Sequence, residues 1–176
     1  MKKIVLMVVA LMMATVSAHA ENDRNEISIA YGGGANTDLI VSLYKGMFTG
    51  KQLDYWGPIS LEYFYRPSER LGVGAVAAIG GCKWDDSNDA KTVFYTIMPA
   101  VKYSWVKKAH FGMYSKAAVG LTVCSDDGVK KEKESSTTVN FQITGIGVEF
   151  GGAIRGFAEL GMGEQGIILG GLRYKF

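Results

Sequence analysis

The chain has 176 residues, 48% of them hydrophobic, with 19 Lys and Arg against 17 Asp and Glu. That length suits one domain, and a net charge of only +2 argues against nucleic acid or another acidic partner. After the first 20 residues no stretch approaches the ~18 consecutive apolar residues of a spanning helix, so any membrane crossing must be made by strands.

Residues 1–20 read as a cleaved secretory signal: Lys2-Lys3, the apolar run Ile4 to Ala14, then the small-residue site Ala18-His19-Ala20. The apolar run is shorter than the roughly 20 residues a helix needs to cross a bilayer. Cleavage there leaves 21–176 as a single domain, with no cysteine at the cut to carry a lipid. Both leader lysines depart with it, so 17 basic residues face 17 acidic ones and the mature charge is near zero.

The rest alternates with period two between clusters of Gly, Asp, Ser and Pro, the trace of half-exposed strands. Glu26 to Gly33 puts Ile27, Ile29 and Tyr31 on one face. Pro58 to Arg66 sets Ile59, Leu61, Tyr63 and Tyr65 against Ser60, Glu62, Phe64 and Arg66. Leu71 to Gly80 opposes Leu71, Val73, Ala75, Ala77 and Ile79 to small residues suited to a crowded interior. Lys91 to Val106 continues with Val93, Tyr95, Ile97, Val101, Tyr103 and Trp105 on the apolar face, and Pro99 there predicts a bulge.

His110 to Cys124 opposes Phe111, Met113, Ala117, Val119, Leu121 and Val123 to Gly112, Tyr114, Lys116, Gly120 and Thr122. Between Ser136 and Phe150 the parity changes, from Val139, Phe141 and Ile143 to Ile146, Val148 and Phe150, which requires one extra residue; Gly145 is the natural bulge. Ala153 to Met162 and Gly166 to Phe176 bring the total to about eight strands. Their connections alternate: tight at Pro67 to Arg70, Lys107 to Ala109 and Gly151-Gly152, longer and polar at 34–57, 81–90 and 125–135. The turn around Gly163-Glu164-Gln165 is short for the long-loop side.

With its closing alternation Leu172-Arg173-Tyr174-Lys175-Phe176, the chain resembles the small eight-stranded outer-membrane barrels of the OmpA and OmpX type. It is similar as well to uncharacterised outer-membrane β-barrel proteins exported with similar signals. The resemblance covers the whole mature chain. It implies an all-β fold, a closed antiparallel up-and-down transmembrane barrel of eight strands in a Gram-negative outer membrane, with lipid and the barrel-insertion machinery as partners, and a monomer. No catalytic motif accompanies it.

Such a barrel satisfies every backbone donor and acceptor within the protein, as hydrocarbon demands. Tyr63, Tyr65, Tyr103, Trp105, Phe150, Tyr174 and Phe176 lie near the turn ends of their strands and would form a periplasmic aromatic girdle, the closing residues also resembling the assembly signal. Glu62, Arg66, Lys102, Lys116, Glu149, Arg155, Glu159 and Arg173 fall on the opposite parity and would pair in a side-chain-filled lumen. A proton path is the functional alternative for these charges. Alternation does not itself say which face is wet, so a soluble lipocalin-like carrier with its apolar side inward is the competing architecture, and a membrane barrel admitting one apolar ligand is its variant.

In the first long loop Leu39, Ile40, Leu43, Tyr44 and Met47 recur at helical spacing, as a docking element or a local apolar cluster. Cys82 and Cys124 are compatible with a disulfide in an exported protein, but one strand lies between them. His110 and Ser115 stand on opposite faces of one strand and cannot form a nucleophile–base pair. No zinc spacing, Walker loop or dinucleotide fingerprint appears, so neither a cofactor nor an enzymatic activity is expected. The chain reads as an envelope or surface-binding barrel.

Overall fold

The computed structural model describes residues 24–35, 54–83, 91–127 and 135–176. They form eight strands: β1 (Asn25–Gly33), β2 (Asp54–Tyr65), β3 (Leu71–Lys83), β4 (Lys91–Lys107), β5 (Phe111–Asp127), β6 (Ser135–Gly151), β7 (Ile154–Gly163) and β8 (Ile168–Lys175). Each strand pairs antiparallel with its neighbours in sequence, and β8 returns to β1 from Glu26↔Lys175 to Gly33↔Ile168, closing an up-and-down barrel. The leader, residues 1–20, lies outside the described residues.

Alternation decides which face each residue takes, because successive side chains on a strand point to opposite sides. In β7 the burial follows the parity without exception from Ile154 to Leu160. Where the pattern changes hand, the ladder carries an extra residue. Gly145 is that residue toward both neighbours: Tyr114↔Gly147 gives way to Lys116↔Thr144 on one side, and Thr144↔Gly161 to Ile146↔Leu160 on the other. The Ser115 hydroxyl donates to the Gly145 carbonyl at 2.6 Å and pins the bulge.

The bulge expected at Pro99 is absent. Toward β3 the ladder runs unbroken through Ala75↔Pro99. Toward β5 it skips Met98 and Pro99 and resumes in the same register, from Ile97↔Leu121 to Ala100↔Ala118. A missing N–H calls for a gap in the ladder and no added residue. Gly120 faces the gap, and a Cβ there would overlap the Ile97 carbonyl oxygen, so its bare backbone permits the close approach. The shift in β4 falls instead between Ser104 and Val106, and the proline that does sit in a bulge is Pro58, between Trp56 and Ile59. With β2 starting at Asp54, the first long connection ends four residues earlier than the turn residues suggested.

The strands are unequal. β4, β5 and β6 each span 17 residues whereas β7 and β8 span 10 and 8. The short turns and both ends of the barrel sequence, Arg24 and Phe176, share one rim, where Asn25 and Phe176 exchange backbone hydrogen bonds of 2.9 Å. At the other rim the β6–β7 ladder ends at Gln142↔Gly163, with the Phe141 carbonyl still accepting from the Glu164 N–H at 3.0 Å, so among the described residues Ser135 to Asn140 continue past β7, paired with β5 on one side.

Glycine placement gives a direct test of this packing. A Cβ at Gly74 would overlap the Tyr63 carbonyl, whereas one at Gly156 would meet nothing within 4 Å. Gly74→Ala should therefore cost about 1–3 kcal/mol of stability and Gly156→Ala less than about 0.5 kcal/mol, measured by urea unfolding of the refolded barrel.

Candidate functional site

The interior is the chemically unusual part of the molecule. Among the described residues eleven charged side chains are buried in it: Arg66, Lys102, Lys116, Arg155, Arg173 and Lys175 against Glu26, Glu62, Glu149, Glu159 and Glu164. Six cations thus face five carboxylates, and each must be compensated where water is excluded.

Arg173 is the hub. It projects from β8 and is 1% exposed. Its guanidinium donates to Glu149 at 2.7 Å and Glu62 at 3.4 Å, and lies 3.7 Å from Glu159 and 3.8 Å from Glu26. The ring centroids of Phe157 and Tyr114 lie 4.3 and 4.8 Å from the guanidinium carbon, within cation–π reach. One planar, always-charged group thereby joins four carboxylates borne by β1, β2, β6 and β7.

Around the hub the charges form linked sets. Lys116 contacts Glu62 at 2.5 Å and Glu159 at 2.8 Å. The remaining capacity of these carboxylates is filled by neutral donors: Ser28 to Glu62 at 3.0 Å, Tyr114 and Thr144 to Glu159 at 2.7 Å each. Nearer the short-turn rim Arg66 donates to Glu26 at 2.6 Å, with Lys102 also paired to Glu26. Lys175 pairs with Glu149, and Arg155 reaches Glu149 at 3.1 Å while its other nitrogens donate to the Gly152 and Ala109 carbonyls. Multiple hydrogen bonds per carboxylate are what make buried charge tolerable.

Toward the opposite rim the lumen is stoppered by the chain itself. The turn after β7 folds inward, and Gln165 is wholly buried. Its side-chain amide donates to Glu62 at 2.9 Å, and its backbone N–H to Gln142 Oε1 at 2.8 Å. Asn140 holds Glu164 at 2.7 Å. Gly163 and Gly166, at φ of 140° and 111°, permit the inward bend. Apolar side chains fill the rest, in the clusters Phe64, Val76, Met98, Ala100, Ala118 and Ala30, Phe157, Leu169. The cleft bounded by Ala35, Pro58, Phe94 and Glu164 has a cavity volume of about 10 Å³, room for roughly one water.

The eight charges singled out by parity, Glu62, Arg66, Lys102, Lys116, Glu149, Arg155, Glu159 and Arg173, all lie inside. Parity alone also marks Glu26, which shares the face of Ser28, and Lys175, which shares that of Arg173; both belong to the same network. Glu164 and Gln165 carried no strand signal, since a short turn gives no hint that it bends inward beyond the glycines at each end.

The outer wall is the converse. Ile29, Leu61, Ile97, Val119, Leu121, Ile143, Leu160 and Ile168 are all exposed on it. No charged residue occupies an outward position between the aromatic rims among the described side chains. Tyr63, Tyr65, Tyr103, Trp105 and Phe150 are exposed near the short-turn rim, with Tyr174 stacked on Phe176 at 5.6 Å. A second set, Tyr31, Tyr95 and Phe141, is exposed nearer the other rim. On β4 Tyr95 and Trp105 stand ten positions apart, roughly 33 Å along the strand and about 25 Å along the axis at a tilt of ~40°.

Among the described residues His110 and Ser115 are not brought together. His110 is exposed on a short turn, while the Ser115 hydroxyl is committed to the Gly145 carbonyl. Leu39, Ile40, Leu43, Tyr44 and Met47 lie outside the described residues, as does the side chain of Cys82. The backbone of Cys82 pairs with Thr92 and that of Cys124 with Phe94, so β4 runs between them.

No protein-family model and no curated protein matches this sequence. Among solved structures, the chain is similar to Ail, the attachment invasion locus protein of Yersinia pestis, at 16% identity over 87% of this chain and 97% of that one, with a TM-score of 0.48. It is similar also to the N-terminal β-barrel domain of Pseudomonas aeruginosa OprF, at 10% identity, 88% and 98% coverage and a TM-score of 0.49. The eight-strand closure seen in the register stands independently of these likenesses.

Breaking one partner of the network should be worse than removing a pair. Glu62→Ala leaves Lys116 with Glu159 alone and takes one of four carboxylates from Arg173, and should cost about 3–5 kcal/mol. The double variant Glu62→Met, Lys116→Met should be less destabilised than the sum of its two single variants, as a urea-unfolding double-mutant cycle would read.

Proposed function

We propose that this protein is an integral outer-membrane barrel, exported by a cleaved signal and without enzymatic activity, that serves the envelope as a non-conducting wall protein and surface-binding scaffold. One observation carries the membrane reading: the wall is apolar and uncharged where a soluble protein is polar, while the charges are inside. A soluble apolar-ligand carrier needs the reverse arrangement, with Leu61, Val119 and Ile168 lining a cavity. Here they are 37%, 56% and 64% exposed, and Glu62 is fully buried. The spacing of the two aromatic sets suits the ~25 Å apolar band of membrane barrels.

The surface-binding part rests on strand length. A tilted strand crosses a bilayer in about 9–11 residues, so 17-residue β4, β5 and β6 extend past it on the long-loop side. There β6 offers an edge, Ser135 to Asn140, without a partner strand from β7. Val139 on it is 71% exposed, and an unpaired edge is a template for strand addition. The filled lumen favours a closed wall over a proton path.

Val119→Arg separates the two architectures. In a bilayer-embedded wall it should cost about 2–4 kcal/mol, against less than about 0.5 kcal/mol on a solvated surface, measured by unfolding from lipid vesicles. A neutral outcome, or recovery of the native protein in the soluble fraction, would sink the membrane reading. Val139→Lys should leave heat-modifiable gel mobility intact and reduce binding at the cell surface by blocking the edge; unchanged binding removes that edge from the working surface.

A further inference from the structure

Among the described side chains, every charged group that is not buried lies on the short-turn rim: Arg24, Glu69, Arg70, Lys107 and Lys108. Arg24 follows Glu21 and Asp23 in sequence, so the useful cations are the other three. They are brought together by two adjacent turns. The Arg70 carbonyl accepts from the Ser104 N–H at 2.7 Å, which sets the β2–β3 turn against the end of β4, three residues before Lys107. The turns are fixed by Leu71 N–H to Ser68 Oγ at 3.1 Å and Lys108 N–H to the Phe111 carbonyl at 2.8 Å.

Directly beneath this cluster, toward the middle of the wall, stand Tyr103 and Trp105. Leu71, the residue after Arg70, is paired with Tyr103, and Lys107 follows Trp105 by two positions. Amphipathic rings settle at the boundary between acyl chains and headgroups, so the cations next to them stand at headgroup depth. Arginine grips phosphate through two parallel N–H groups and lysine adds a mobile point charge. Glu69 is the one acid among the described residues of this rim, and it leaves an excess of cations.

We infer that Arg70, Lys107 and Lys108 form a docking surface for the phosphate headgroup of an anionic phospholipid in the leaflet at the short-turn end. This rests on the membrane reading above. It goes beyond it in giving the rim a lipid preference that the uncharged wall does not supply. The site anchors the barrel's depth and direction, since the aromatic ring and the cations grip one lipid at two levels.

The test uses the mature chain refolded into phosphatidylcholine vesicles, with spin-labelled phosphatidylglycerol and spin-labelled phosphatidylcholine as probes of the immobilised lipid shell. Phosphatidylglycerol should be preferred by up to about fivefold for each cation engaged. The preference should collapse in molar salt and in the variant carrying Arg70→Gln, Lys107→Gln and Lys108→Gln. Equal association of the two lipids with the inserted wild-type barrel overturns the proposal, as does a preference that survives in the triple variant. Soluble tripolyphosphate displacing the lipid as readily as excess phosphatidylglycerol would mark a generic anion patch and also overturn it. Failure of the wild-type chain to insert, seen as absence of a heat-modifiable gel shift, overturns the membrane reading together with this one; insertion without headgroup preference overturns this one alone.

Discussion

Charge buried without water must be neutralised in place, and in this barrel that task converges on Arg173. It stands on the last strand and reaches carboxylates from β1, β2, β6 and β7. The pairing that closes the sheet, β8 to β1, is therefore the same event that delivers the central cation. Glu149 takes its 2.7 Å bond from this cation, and Glu62, already paired with Lys116 of β5 at 2.5 Å, gains a second cation from it at 3.4 Å. Closure of the sheet and neutralisation of the lumen thus share one strand, β8.

The wall and the lumen follow from one another. Eight strands leave an interior just wide enough for side chains, and here those side chains are long ionic groups braced by Phe64, Tyr114 and Phe157. Placing the polar set inside commits the apolar set to the outside, since a strand offers no third face. On the proposed reading acyl chains are the solvent for that face. The inward turn at Glu164-Gln165 adds to the filling, with Gln165 buried against Glu62, so the described side chains cross-brace the interior.

The two rims differ in kind. One has short turns, an aromatic ring and exposed cations, with backbone hydrogen bonds tying Asn25 to Phe176. The other has long connections and an overhanging sheet, in which Ser135 to Asn140 of β6 extend past the end of β7. On the proposed reading this asymmetry gives the barrel a defined direction in a bilayer, with the cationic aromatic rim at the headgroups and the overhanging sheet displayed.

Strand number, the face of nearly every side chain and the Gly145 bulge were legible in the sequence, because period-two alternation is local and any change of parity has to be absorbed by an extra residue. The buried charges on strands were legible for the same reason, Glu26 and Lys175 included once parity is applied strictly, whereas Glu164 on its turn was not. Pro99 was misleading because a proline demands only a missing donor, and whether that produces a bulge or a gap depends on the strand beside it, here on Gly120. The carboxylates Arg173 would join and the inward bend of Gln165 were settled by closure, and the meeting of Arg70 with the end of β4 by the β3–β4 register. Alternation assigns a side chain to a face, but the partner it meets there is set by register and by the curvature that brings distant strands across a common axis.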